Sequence, residues 1–64
     1  MRYRTKELKR ARLEKGWTQA TLARKSGVPQ GTVSSIEVRG HQSPETIAKL
    51  AAALGLDLKD LVAS

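Results

Sequence analysis

The sequence predicts an all-α fold, a compact bundle of five short helices forming one domain over residues 1–64. Three observations carry this expectation. Ala, Leu, Lys, Arg and Glu, all helix formers, are plentiful, and the only aromatics are Tyr3 and Trp17. No stretch alternates β-branched and polar residues with period two, so strands are not indicated. Gly16, Gly27 and Gly55 punctuate the chain into segments of helical length.

Size narrows the choice further. A chain of 64 residues buries only about 60% of its unfolded surface, near the lower limit for independent folding. Such domains need a staple or a tight helical core. There is no cysteine, hence no disulfide framework and no thiolate metal site. The single histidine, His41, cannot build a metal site alone. No metal and no cofactor are expected.

The first helix is expected from Thr5, over TKELKRARLEKG, with Thr5 as N-cap, Glu7 near the positive helix end and Lys15 near the negative end. Leu8, Ala11 and Leu13 are its apolar positions. Residues 1–15 hold seven Lys/Arg against two acids, which gives a basic face and, over Met1 to Arg4, a frayed basic arm. Trp17 reads as a core or staple residue at the entry of helix 2.

Helix 2 is expected over about 18–26, with Thr18 as N-cap and Leu22 and Ala23 inward. Ala23 is small because the next helix crosses close to it. Gly27 ends helix 2 in the left-handed conformation that a side chain disfavours. Val28 is a buried turn residue, and Pro29 suits the first turn of a helix. Helix 3 is expected over about 29–38, with Val33 and Ile36 facing the core. Its opposite face presents Gln30, Gly31, Ser34 and Ser35, with Thr32 at one side, an uncharged and small surface suited to close approach. After a loop of Arg39, Gly40, His41 and Gln42, Ser43-Pro44-Glu45 is a helix start. Ile47, Leu50, Ala51 and Leu54 recur at i, i+3, i+4 and i+7, one buried face of helix 4. Asp57 can cap a last short helix running to about Val62, in which Leu58, Leu61 and Val62 are apolar and serve either the core or a dimer contact.

The formal net charge is +6 and the pI about 10.4, the footprint of a polyanion binder. No apolar run approaches the ~20 residues of a membrane span, and no apolar segment of signal-peptide type follows the basic N-terminus. The expected location is the cytoplasm. No cysteine nucleophile, His-carboxylate cluster or Gly-rich phosphate loop is present, so no enzyme is expected.

Two short helices joined by one tight turn, from Gln19 to Glu37, form a helix-turn-helix unit, which puts one helix into the DNA major groove. GWTQATLARKSGVPQGTVSSIE, followed by SPETIAKLAAALGLDLKDL, resembles the phage-repressor and Cro type of helix-turn-helix, the XRE family of bacterial and phage regulators. The resemblance covers about Leu8 to Val62. It implies the five-helix, lambda-repressor-like DNA-binding fold, with helix 2 across the DNA backbone and helix 3 in the groove. It further implies base contacts from the positions of Gln30, Gly31 and Ser35, with Ser34 nearby. Phosphate contacts are implied at Gln19, Thr32 and Arg39, and the basic helix 1 adds Arg10. Arg12 and Glu37 match a family ion pair between helix 1 and the end of helix 3.

This chain departs from many relatives at Gly31, which lacks their long polar side chain. Gln30 is the one long side chain on the reading face, and Gln bonds adenine N6 and N7 together. The implied partners are a double-stranded DNA operator and a second copy of the chain, with no membrane and no small-molecule ligand. Transcriptional regulation, as a repressor, is the expected function. The rival expectation is an antitoxin-like or adaptor module whose main partner is another protein.

Overall fold

A computed structural model describes residues 2–40 and 43–63. Five helices follow one another: α1 (Thr5–Glu14), α2 (Gln19–Ser26), α3 (Gln30–Arg39), α4 (Pro44–Leu54) and α5 (Leu58–Leu61). The helices account for most of the described chain, so the all-α expectation holds. One feature was not expected: Arg2–Tyr3 (β1) pairs antiparallel with Val62–Ala63 (β2), with Tyr3 opposite Val62. The Arg4 N–H donates to the Leu61 carbonyl at 2.6 Å. The stretch read as a frayed arm is therefore tied to the other end of the domain, and Tyr3 packs against the core. Val62 leaves α5 for this pairing.

The core is one cluster of ten buried apolar residues: Leu8 from α1, Leu22 from α2, Val28 from the turn, Val33 and Ile36 from α3, Ile47, Leu50, Ala51 and Leu54 from α4, and Leu61 from α5. α2, α3 and α4 contribute their predicted faces. α4 is the hub, packed against α1, α2 and α5, while α3 lies on α1 and α2. Leu61 belongs to this core and Leu58 packs against it, so both residues take part in core packing. Leu13 is the exception on α1, 57% exposed. Leu8 and Arg12 mark the buried face, and Leu13, one step of about 100° past Arg12, turns toward solvent.

Helix ends follow the sequence signals with three adjustments. Thr5 is the first helical residue, and the cap position falls on Arg4 without a side-chain bond. Pro29 is likewise the residue before α3, at φ −56° and ψ 143°. Its extended ψ turns the chain into the helix rather than continuing it. Ser43 and Asp57 hold the N-cap positions of α4 and α5 but make no side-chain cap bond. Thr18 does cap α2: its Oγ1 accepts from the Thr21 N–H at 3.1 Å. Gly27 closes α2 at φ +75° and donates its N–H to the Ala23 carbonyl. The expectations for Met1, His41 and Gln42 fall outside the described residues. Among the described residues no helix is long and apolar enough to cross a membrane.

Candidate nucleic-acid interface

The α2–turn–α3 unit is oriented by its buried side. Val33 and Ile36 are 1% and 0% exposed, so they fix which face of α3 points out. That outward face carries Gln30, Gly31 and Ser35, all exposed, with Thr32 and Ser34 half-buried at its margins. Gly31, Ser34, Ser35, Val38 and Arg39 line one shallow surface depression. Val38, 78% exposed, is the residue that sequence reasoning did not single out. The signal was available: Val38 lies seven residues beyond Gly31 and three beyond Ser35, which is the same helical stripe.

The end of α3 is locked to the rest of the fold by a charged knot. Arg12 Nε donates to Glu37 Oε2 at 2.8 Å and Arg12 Nη2 donates to Glu37 Oε1 at 3.0 Å, a bidentate pair. The Arg12 Nη1 group donates to the Trp17 carbonyl at 2.7 Å. The two charged side chains are only 8% and 3% exposed. A third group joins them, since Gln19 Nε2 donates to Glu37 Oε1 at 3.0 Å. Burial by itself pushes the Glu37 carboxyl up, but the bonds from Arg12 and Gln19, with the positive charges of Arg12 and Lys9, more than reverse this and hold it below the ordinary value. The knot thus joins α1, the entry of α2 and the end of α3 at one point. It also pairs the carboxylate that would otherwise stand as an unpaired negative charge one residue from Val38 near the outer face of α3.

The predicted contacts fall in three places. Gln30, Gly31, Ser34, Ser35, Thr32 and Arg39 share α3 and its outer face or margin. Gln19 sits at the start of α2, with its side chain held by Glu37. What remains for an anion there is the helix start itself. The first intrahelical bond is from the Leu22 N–H to the Thr18 carbonyl, so the N–H groups of Gln19 and Ala20 precede the ladder, where anions are favoured. Arg10 stands apart. It lies two residues, about 200°, from Arg12 on α1, and its Nε is 3.2 Å from Glu14 Oε1 in an exposed i,i+4 pair. The structure does not bring it to α3, because Arg12 has taken the face of α1 that points there. Trp17 packs partly against the core, as expected, and adds two contacts that the sequence did not reveal. The Lys15 and Lys25 ammonium groups lie 5.2 and 5.0 Å from its ring centre, within cation–π range.

Comparison with known proteins agrees with this geometry. A family model described as "Helix-turn-helix" matches residues 8–61. Among solved structures, a SinR protein/SinI protein complex matches at a TM-score of 0.83 and 31% identity, over 92% of this chain and 59% of that one. The chain therefore spans less than two thirds of that protein. A crystal structure of SinR, described as the master regulator for biofilm formation, in complex with DNA matches at a TM-score of 0.77 and 32% identity, over 86% of this chain and 90% of that one. Among curated proteins none matches. On the family match, the bundle and the turn at Gly27, the chain belongs to the helix-turn-helix family, in its phage-repressor and Cro (XRE) type.

Proposed function

We propose that this chain is a sequence-specific binder of double-stranded DNA that represses transcription as a dimer, with α3 in the major groove. The observation that carries the reading is the outward face of α3. In a chain of net charge +6, it presents Gln30, Gly31, Ser34, Ser35 and Val38 without an unpaired charge until Arg39. A solvated face would carry charges, whereas a face that enters a groove about 12 Å wide must be narrow. SinR, 32% identical, was crystallised with DNA, and DNA is the partner we carry over.

In this proposal the roles divide by chemistry. Gln30 bonds a base edge, adenine by preference. Gly31, Ser34 and Ser35 let the backbone come close. The free N–H groups at Gln19 hold one phosphate and Thr32 and Arg39 hold others. Arg10, on the far side of α1, contributes only to the long-range field. The dimer follows from size. The domain measures 29 × 20 × 17 Å, and half-sites one turn apart are separated by about 34 Å, so one copy cannot reach both.

The test is a titration of labelled duplex at two salt concentrations. Phosphate contacts predict a log–log fall of affinity with salt, with a slope of about −0.9 per phosphate neutralised. No binding at low salt refutes the proposal. A second reading, that the main partner is another protein, has one observation in its favour: SinR was also solved with SinI. If that reading is correct, DNA affinity will be weak and indifferent to sequence at every salt concentration.

A further inference from the structure

We propose that Val38 is a specificity-determining residue that packs on the C5-methyl group of a thymine in the major groove. The inference rests on the DNA-binding reading of α3 and assigns a role to a residue that reading does not need. Val38 is 78% exposed, one of two large exposed apolar residues among those described. It shares its depression with Gly31, Ser34, Ser35 and Arg39. An apolar side chain beside Arg39, which the proposed function assigns to a phosphate, has few partners in a groove of polar base edges. The thymine methyl is the apolar group displayed there.

The neighbours decide whether Val38 can reach. Gly31 has nothing within 4 Å of the position a Cβ would occupy, so open space lies over the helix at that point. With only hydroxymethyl groups at Ser34 and Ser35, the helix axis can settle deeper than long side chains would permit. A short valine then touches the groove wall, where the methyl group projects beside the backbone that Arg39 contacts. Val38 lies eight residues from Gln30, about 12 Å along the helix, so the two read different base pairs. Glu37, the adjacent carboxylate, is turned away into Arg12 and does not repel the strand.

The experiment replaces thymine by uracil, which deletes only the methyl group. An operator is first selected from a random duplex pool, and each of its thymines is then changed to uracil. With the wild-type chain, uracil at one thymine of each half-site is expected to weaken binding about fourfold per half-site, the value of one buried methyl. With Val38→Ala, that difference disappears while discrimination at the pair read by Gln30 persists. Val38 is exposed, so the variant keeps the wild-type urea midpoint or exceeds it. Sequence-selective binding that ignores every uracil substitution overturns the inference and leaves DNA recognition by α3 intact. So does an unchanged uracil penalty in Val38→Ala. Failure to bind any duplex at low salt overturns both.

Discussion

Removing the Glu37 carboxylate should cost more stability than removing any of the exposed carboxylates among the described residues, because its side chain is only 3% exposed. In Glu37→Ala the Arg12 guanidinium keeps its bond to the Trp17 carbonyl but loses both bonds to the carboxylate. With a side chain only 8% exposed, it cannot recover them from water. Breaking a buried pair in this way costs about 3–5 kcal/mol. A domain of this length has a total stability of about 3–10 kcal/mol, so the variant should lose at least about 12 °C in Tm. Trp17, the only tryptophan, lies at the knot and reports urea unfolding by its fluorescence. A companion variant guards against a trivial explanation. Arg12→Met with Glu37→Leu removes both charges, and such replacements are commonly neutral or stabilising, so it should recover most of the loss. A loss below about 0.5 kcal/mol in Glu37→Ala, the range of ordinary surface substitutions, would refute the claim that the pair is buried and compensated.

Other consequences are separable. The Glu37 carboxyl is held below its ordinary value in the folded state, so its contribution is complete above the unfolded value of about 4.3 and is lost as pH falls through the folded one. The wild-type urea midpoint should therefore drop more steeply between pH 5 and pH 3 than that of Glu37→Gln. Gly31→Ala meets open space and should stabilise the fold by about 1 kcal/mol while weakening DNA binding, two readouts moving in opposite directions. Gly27→Ala also meets open space but at φ +75°, so it should destabilise by about 1–2 kcal/mol through backbone strain alone, measured by thermal melts. Leu8→Ala should cost about 2–5 kcal/mol, and Leu13→Ala, exposed on the same helix, less than about 0.5 kcal/mol.

The contrast between Leu8 and Leu13 marks where sequence reasoning was strong and where it was not. α4 was legible because four apolar residues repeat at helical spacing around a Ser-Pro start, and all four are buried. α1 was harder, since its buried face is completed by an arginine. A periodicity count skips Arg12 and reaches for Leu13. The pair with Glu37 spans twenty-five positions, and its assignment came from family resemblance, which carries long-range information that spacing does not. The pairing of Arg2–Tyr3 with Val62–Ala63 left no trace in the sequence, because two residues per strand cannot display an alternation. Gln19 reads from sequence as a phosphate contact at the start of helix 2, and its bond to Glu37 eighteen positions away is a long-range link that local spacing does not display. Val38 was read only as the end of helix 3, and its exposure became visible once Ile36 and Glu37 had fixed the rotation of α3.

The claim that α3 reads duplex DNA in a two-fold arrangement is tested most directly by selecting bound sequences from a random duplex pool at moderate salt. The account predicts an enriched pseudo-palindrome with half-sites about 34 Å apart, roughly one helical turn, each containing an adenine that loses its preference in Gln30→Ala. Recovery of sequences with no enrichment, or a preference unchanged in Gln30→Ala, Val38→Ala and Gly31→Ala alike, would contradict it.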